Sequence, residues 1–294
     1  MKKYTILKLV MKSVLGKLNF PLALSIDVTY KCNLNCKHCY FKKQKYTHEL
    51  SEDEWANKIR EIKRLYNIIH CTWVGGEPLL RKNIIEANKK FFIFNWIVTN
   101  GTLEIPDWKD CIFFVSIDGT KKFHERIRGK MTFDKIKNNI INSKSKIFLD
   151  MVINSMNYTC IENMLKEWSG TNVKGINFDF YTPLRKDDEL FIPFNKRDKI
   201  LDKILELKKE YGESILLSKK AIELMKSQNY KKIIGENCIV KKSALCLDPE
   251  GKIKKPCVMG MVDCENCGCI VPYALTVFLN KDLESLRILS KLTP

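Results

Sequence analysis

Hydrophobic residues recur along the chain with the period of strands and the period of helices in turn. Leu22–Thr29 alternates apolar and polar positions, as a half-buried strand does. Ser51 begins the capping sequence S-E-D-E, and the apolar positions that follow are spaced as on one face of a helix that reaches about Tyr66. A short strand at Ile68–Val74 and a helix from about Lys82 to Lys90 come next.

The same alternation continues through the middle of the chain. The pattern predicts further strands at Phe91–Val98, Cys111–Ile117, Ile147–Ile153 and Gly175–Tyr181, and further helices at Phe133–Asn142 and Tyr158–Trp168. Six strands that alternate with helices are typical of a parallel sheet wound as a βα barrel or as part of one.

The two ends of the chain differ from this middle part. Met1–Leu18 predicts a basic amphipathic helix that either packs under the barrel or lies on a membrane surface. The residues from Asn195 to about Ile234 predict two helices, and the tail Ile270–Pro294 is apolar and then helical. We therefore divide the chain into a leader helix at 1–20, a barrel at 21–194, a helical connection at 195–235 and a cysteine-rich region with a C-terminal helix at 236–294.

Composition narrows the class of protein. With 294 residues, 45% of them hydrophobic and 29% charged, the chain can bury a core. It has no apolar run of about 18 residues, the length that a membrane-spanning helix needs. The sequence shows no signal peptide, and its twelve cysteines fall largely into groups with metal-ligand spacing, so we expect a reducing cytoplasmic location, with a peripheral membrane position as a variant of it.

The net charge of +17 implies attraction to polyanions such as nucleic acid or an anionic lipid surface. A vocabulary rich in Lys, Ile and Asn also arises from an AT-rich genome, and abundant Lys and Glu suit a thermophile. No motif with interleaved basic and aromatic residues is visible, so we expect no nucleic-acid partner. A contact with a membrane surface stays open.

Three cysteines lie close together in the segment T-Y-K-C-N-L-N-C-K-H-C-Y, which follows the first predicted strand. Cys32, Cys36 and Cys39 have the spacing C-x3-C-x2-C. Three thiols cannot all pair as disulfides, and a tetrahedral zinc ion needs a fourth ligand that is not nearby. A cubane cluster of four irons fits better, because three cysteine ligands leave one iron open for a substrate or cofactor.

This segment resembles the cluster loop of the radical S-adenosylmethionine (radical SAM) superfamily. The resemblance implies a 4Fe-4S cluster on the three cysteines, S-adenosylmethionine bound at the open iron, and reductive cleavage to a 5'-deoxyadenosyl radical. It also implies an incomplete six-stranded barrel across about Phe20 to Tyr181. We predict an α/β fold, a partial six-stranded (β/α)6 barrel with a small cysteine-rich C-terminal extension.

Gly75-Gly76-Glu77-Pro78 ends the second predicted strand and resembles the G-G-E motif of the same superfamily. Glycines let the backbone approach a ligand closely. The resemblance implies that the backbone and Glu77 hold the amino group of the methionine moiety. The alternative is an ordinary turn.

Polar residues also follow other predicted strands, and the resemblance implies that they contact the carboxylate and ribose of the cofactor. These residues are Asn100, Ser116, Asp118 and Asn154. Each of them is also a common turn former or helix cap. His38 and Tyr40 would lie against the adenine, the alternative being plain loop packing. In barrel folds such residues meet at the carboxyl ends of the strands, so we expect one shared mouth.

A second group of cysteines follows a hairpin predicted from Leu247 to Cys257. The pattern C-x12-G-x5-C from Cys238 resembles the auxiliary-cluster extension called SPASM or twitch, with one residue more than usual between Gly and Cys and a compact terminal triplet. We predict one auxiliary cluster with ligands among Cys238, Cys257, Cys264, Cys267 and Cys269. A zinc site is the competing interpretation. Cys246 is interpreted as a bystander, and Cys71, Cys111 and Cys160 as core residues.

The layout is also similar to that of the hopanoid-biosynthesis radical SAM enzymes, which adenosylate a polycyclic lipid, whereas auxiliary-cluster relatives more often modify peptides or proteins. We therefore predict a radical SAM enzyme, an oxidoreductase or transferase, that acts on an unidentified peptide, protein or lipid. Its electron donor would be a ferredoxin or flavodoxin. The alternative is a cysteine-rich zinc or iron-sulfur module with a nucleic-acid or membrane partner and no radical chemistry.

Overall fold

The structure is a computed structural model, and it describes residues 20–185 and 187–293. The basic helix predicted over Met1–Leu18 lies outside the described residues. In the part of the chain that is described, no helix is long and apolar enough to cross a membrane.

A single parallel sheet forms the centre of the molecule. Its strands are β1 Ala23–Asp27, β2 His70–Val74, β3 Phe94–Thr99, β4 Cys111–Ser116, β5 Lys146–Ile153, β6 Ile176–Phe180 and β7 Ala244–Leu247. Their order across the sheet is β6-β5-β4-β3-β2-β1-β7, and every neighbouring pair is parallel. Because β6 and β7 lie at opposite edges, the sheet does not close, and the predicted partial barrel is confirmed.

The seventh strand corrects the predicted count of six. β7 pairs with β1 in the register Ala23↔Ala244 to Ile26↔Leu247. We had assigned its last residue only to a hairpin, because a four-residue strand is too short to show a period of its own. The hairpin is also present, since Leu247 forms an antiparallel bridge to Ile253.

Helices connect the strands and cover the sheet. They are α1 Glu52–Leu65, α2 Lys82–Asn88, α3 Lys121–Arg128, α4 Thr132–Asn142, α5 Ile161–Trp168, α6 Phe194–Tyr211, α7 Lys219–Met225, α8 Val240–Ser243, α9 Val271–Leu279 and α10 Leu283–Lys291. The predicted capping box begins α1, because Ser51 and Glu54 exchange side-chain to backbone hydrogen bonds. The pattern did not predict α3, because its sequence K-K-F-H-E-R-I-R is mostly charged and short of apolar positions.

Two apolar clusters hold these layers together. The larger one joins the strands to the helices that pack on them, and it includes Cys71, Cys111 and Cys160, which are buried as expected. The smaller one joins residues of β4 and β5 to the C-terminal helix α10, and Trp96 donates a hydrogen bond of 3.1 Å to the carbonyl of Leu292. Since α10 and the residues after it occupy this part of the sheet, the polar loops at the carboxyl ends of the strands are left for function.

Candidate functional site

The first cysteine loop leaves the carboxyl end of β1. Cys32 is exposed, Cys36 is buried and Cys39 is half-buried. Burial is the largest cause that raises the pKa of Cys32 and of Cys36, and neighbouring thiols of the same loop raise both further. The three sulfurs therefore share one neighbourhood, as the spacing predicts.

Two N–H donors face the sulfur of Cys32. The backbone of Leu34 donates to it at 3.4 Å and the side chain of Asn100 at 3.7 Å. The Asn100 amide also donates to the side chain of Asn33 at 2.9 Å and accepts two hydrogen bonds from Thr102. The end of β3 thus holds the start of the loop, and a sulfur that accepts hydrogen bonds suits a cluster thiolate.

Gly75 and Gly76 bring the end of β2 against the same loop. The Gly76 N–H donates to the carbonyl of Thr29 at 2.7 Å, and the Glu77 N–H donates to that of Lys31 at 2.9 Å. A Cβ atom on Gly76 would lie 2.2 Å from the Lys31 oxygen, and Gly75 has a φ of +131°. These contacts exclude a side chain at either position. The glycines therefore serve a close backbone approach, here to the cysteine loop.

Glu77 is fully buried and binds the protein itself. One carboxylate oxygen accepts from the Leu79 N–H at 3.0 Å and from the Thr99 hydroxyl at 2.8 Å, and the other accepts from the Asn100 N–H at 2.7 Å. Burial is the largest cause that raises the pKa of this carboxyl. Glu77 thus connects the ends of β2 and β3, and its predicted contact with the methionine amino group stays a prediction.

Asp118 is the centre of a buried polar network behind the loop. Its Oδ2 accepts from the Nε of Arg128 at 2.7 Å and lies 3.6 Å from the Nε2 of His38. Its Oδ1 accepts from the Val152 N–H at 3.2 Å, and its own N–H donates to the Nδ1 of His124 at 3.1 Å. The network joins the cysteine loop to β4, β5 and α3.

The sequence interpretation missed His124 and Arg128. They stand four residues apart on α3, so both project from one face of that helix toward Asp118. The spacing H-x3-R after Asp118-Gly119 was the available signal. It carried no weight because α3 itself was not predicted.

The charges in this network follow from burial and from Arg128. Burial alone would raise the pKa of Asp118, but Arg128 and the two histidines together hold it below its ordinary value. Burial lowers the pKa of His38 to about 4 and that of His124 to about 3. At neutral pH the network is therefore an Asp118–Arg128 ion pair with two neutral imidazoles.

The remaining predicted residues are placed differently from one another. Ser116 ends β4, opposite Asp150 in the register. Asn154 is buried, and its side chain donates to the Val152 carbonyl and accepts from the Met156 N–H, so it forms its own turn. The contacts of these residues and of Asp118 and His38 with a bound cofactor stay predictions.

Tyr40 lies between the two groups of cysteines. Its ring centroid is 4.2 Å from that of Phe41. Burial is the largest cause that raises its pKa, and Asp27, Cys257, Cys39 and Cys269 raise it further. One phenol is therefore close to the cysteine loop and to the C-terminal part of the chain.

We call Cys238, Cys257, Cys264, Cys267 and Cys269 the C-terminal cysteine group. Burial raises the pKa of Cys257 first, and the thiols of Cys264 and Cys238 raise it further. Burial also raises the pKa of Cys267 to about 12, with added effects of Cys257 and Cys238. Cys269 is likewise affected by Cys267 and Cys257. The five thiols thus form one neighbourhood, as the sequence predicts.

This group spans the opening between the two edge strands. On the β6 side the Phe180 N–H donates to the Gly268 carbonyl at 2.9 Å, and the Ile270 N–H donates to Asp179 at 2.6 Å. On the β7 side the Lys254 N–H donates to the Cys246 carbonyl at 2.7 Å. The segment between these contacts carries four of the five thiols across the gap.

Both groups have ligands that suit iron-sulfur clusters. Every cysteine is free of disulfides, and thiolate-only ligand sets select iron-sulfur clusters or zinc. In residues 20–185 and 187–293, no three Cys, His, Asp or Glu side chains converge closely enough to hold a single ion. In a cubane, by contrast, each cysteine binds a different iron. The donor chemistry thus fits the implied cluster at Cys32, Cys36 and Cys39.

Comparison with known proteins agrees with this geometry. Residues 26–167 match the family model for the radical SAM superfamily. The chain is 30% identical over 203 residues to an uncharacterized protein of Methanocaldococcus jannaschii, a match covering 62% of this chain and 70% of that protein. It is 25% identical over 167 residues to the sporulation killing factor maturation protein SkfB of Bacillus subtilis, covering 50% of this chain and 39% of SkfB.

The fold also resembles a solved structure. Streptococcus suis SuiB bound to the precursor peptide SuiA superposes with a TM-score of 0.65 and 16% identity, covering 87% of this chain and 65% of SuiB. At this identity the likeness concerns the fold alone.

The close packing at Gly76 yields a first prediction. Gly76→Ala should destabilise the protein by about 1–3 kcal/mol, since the new methyl group meets the Lys31 carbonyl. It should also lower the iron bound after anaerobic reconstitution. Urea unfolding and iron analysis measure both effects. Gly170→Ala is the control, because no atom lies within 4 Å of its Cβ position and only backbone strain is added. Unchanged iron and stability in Gly76→Ala would contradict the role of this contact.

A second prediction concerns the buried ion pair. Asp118→Ala leaves the charge of Arg128 buried and unpaired, so we expect a loss of about 3–5 kcal/mol at pH 7 in urea unfolding. The control is Asp134→Ala, which breaks the exposed pair with Lys121 and should cost less than about 1 kcal/mol.

The pH dependence of this loss has a definite sign. The folded pKa of Asp118 is lowered, so its stabilisation is present above the pKa of an unfolded Asp, about 3.9, and disappears as the pH falls through the folded value. The difference between wild type and Asp118→Ala should shrink on acidification. A difference that grows below pH 4 would contradict the assignment.

Proposed function

The chain belongs to the radical SAM superfamily, and from that premise we propose that it cleaves S-adenosylmethionine at a 4Fe-4S cluster on Cys32, Cys36 and Cys39 and modifies a peptide or protein. The observation that carries this proposal is the backbone contact between the cysteine loop and the end of β2. It brings the three thiols and the G-G-E segment together at the carboxyl edge of the sheet.

When bound, the cluster supplies the electron that breaks the sulfonium bond and releases a 5'-deoxyadenosyl radical. The protein's own part is to hold ligands and exclude water. Leu34 and Asn100 donate hydrogen bonds to the sulfur of Cys32. The Lys37 N–H donates to the Ile127 carbonyl at 3.0 Å, which attaches the second half of the loop to α3. A loop fixed at both halves orients the ligands before the cofactor arrives.

Two similarities support a peptide or protein as the substrate. SkfB is a maturation protein for the sporulation killing factor, and SuiB is bound to a precursor peptide. This chain spans 39% of SkfB and 65% of SuiB, so their substrates do not transfer by themselves. A lipid substrate has the similarity of layout in its favour, and its membrane contact would involve Met1–Leu18, outside the described residues.

We also propose that the C-terminal cysteine group holds one auxiliary iron-sulfur cluster. Its support is the common neighbourhood of the five thiols and their attachment to the β6 edge through Gly268 and Ile270. A reduced ferredoxin or flavodoxin is the proposed electron donor.

The cluster assignment gives a third prediction. Wild-type protein reconstituted without air should bind about eight irons, and the variant with Cys32, Cys36 and Cys39 all changed to Ala should bind about four, since each cubane contains four. That variant should form no 5'-deoxyadenosine. The control is Cys71→Ala, a buried core cysteine, which should keep the full iron content and the cleavage activity. Continued formation of 5'-deoxyadenosine in the triple variant would refute the assignment.

A fourth prediction separates the two substrate classes. Cells that produce the protein are grown on deuterated medium, and their peptide fraction and lipid extract are offered separately with S-adenosylmethionine and a reductant. Abstraction of a substrate hydrogen places deuterium in 5'-deoxyadenosine, which mass spectrometry detects. We expect deuterium with the peptide fraction only, and the triple-cysteine variant as a blank. Deuterium with the lipid extract alone would overturn the peptide proposal.

A further inference from the structure

Arg197 is a buried cation in the first turn of α6. Its side chain is 2% exposed. The guanidinium carbon lies 4.9, 4.9 and 4.3 Å from the ring centroids of Phe180, Phe191 and Phe194. Aromatic faces attract a cation by about 0.5–2 kcal/mol, much less than the cost of removing an isolated charge from water.

The polar partners of Arg197 are all neutral. Its nitrogens donate to the carbonyls of Ile192 at 2.7 Å, Tyr181 at 3.3 Å, Cys267 at 3.4 Å and Asn266 at 3.5 Å. In the described part of the chain, no Asp or Glu oxygen forms an ion pair with it within 4 Å. The hydrogen bonds are therefore satisfied, but the charge is not neutralised.

Its place on the helix increases this imbalance. The N-terminus of a helix carries a partial positive charge, so a cation in the first turn is disfavoured there. Burial lowers the pKa of Arg197 to about 10, which still leaves it charged at neutral pH. A buried cation in such a position needs an anion nearby.

The nearest groups that can become anionic are thiols. Two of its four carbonyl partners belong to Asn266 and Cys267, in the turn that carries Cys264, Cys267 and Cys269. Cys267 and the phenol of Tyr273 are the first charges that act on the guanidinium. A protonated thiol brings no charge, whereas a thiolate bound to a metal does.

We propose that Arg197 is the counter-ion of a thiolate-bound metal centre in the C-terminal cysteine group. The inference rests on the proposed function, because it requires that group to bind a metal. Four thiolates around either zinc or an iron-sulfur cluster give a net negative centre, so loading the site neutralises the buried cation. Arg197 therefore favours metal retention and, for a cluster, the more negative reduced state.

The test uses protein in which Cys32, Cys36 and Cys39 are Ala, so that the C-terminal group alone is loaded. Arg197→Met keeps an apolar stem and removes the charge, and Arg197→Lys keeps the charge without the planar fork. The matched control is Lys208→Met, which removes another buried cation of α6, one already paired with Glu284 at 3.0 Å. Thermal unfolding of each metal-free variant checks its folding.

Two readouts follow the charge. With Arg197→Met, metal loss to a chelator should be at least about tenfold faster. The ratio of reduced to oxidised cluster at a fixed potential should fall about tenfold, a midpoint about 59 mV lower for one electron. Arg197→Lys and Lys208→Met should stay near the parent in both readouts. If Arg197→Met does not fold, Arg197→Lys against the parent decides, and a tenfold change there contradicts the proposal.

The outcomes separate this inference from the proposed function. Unchanged retention and midpoint in Arg197→Met overturn the counter-ion role and leave the auxiliary cluster standing. Equal losses in the Met and Lys variants assign the effect to the hydrogen-bonded fork and overturn it too. Stoichiometric zinc in place of iron overturns the auxiliary cluster, while chelator release still tests Arg197. A C-terminal group that binds no metal overturns both, and 5'-deoxyadenosine formation by the wild type then tests the first site separately.

Discussion

The rest of the structure depends on one backbone contact, between the end of β2 and the first cysteine loop. The N–H groups of Gly76 and Glu77 donate to the carbonyls of Thr29 and Lys31, and the space between the two segments excludes a Cβ atom. A loop that carries three thiols cannot bury a core of its own, so its shape must come from neighbours. This contact supplies it, and Glu77 transmits the constraint from β2 to the end of β3.

The second half of the loop is held by electrostatics. Arg128 and Asp118 form a buried pair, and His38 of the loop lies beside both of them. A buried pair of this kind adds little net stability over an apolar replacement, but it is costly to break, so it favours a single arrangement of its surroundings. The first site therefore combines steric exclusion at one half of the loop with a charge pair at the other.

Sequence patterns predicted the parts whose signal is local. The C-x3-C-x2-C spacing, the two glycines before Glu77 and the alternating strands each lie within a few neighbouring positions, and the strands have the predicted order along the chain. The missed features depend on distant partners. Nothing near Arg197 indicates that it meets Cys267, and β7 is a strand because β1 offers it an unpaired edge.

The two cysteine groups are structurally coupled, although they are far apart in the sequence. The ammonium of Lys254 binds Asp27 at the end of β1 and lies 5.4 and 5.3 Å from the rings of Tyr30 and Phe41, which flank the first loop. The same lysine precedes Cys257 by three residues, and Tyr40 is close to thiols of both groups. Ordering of the C-terminal segment by a metal would therefore also order the aromatic side of the first loop. In such an arrangement an extension at the open edge of the sheet supports the catalytic loop, whether or not its metal takes part in the reaction.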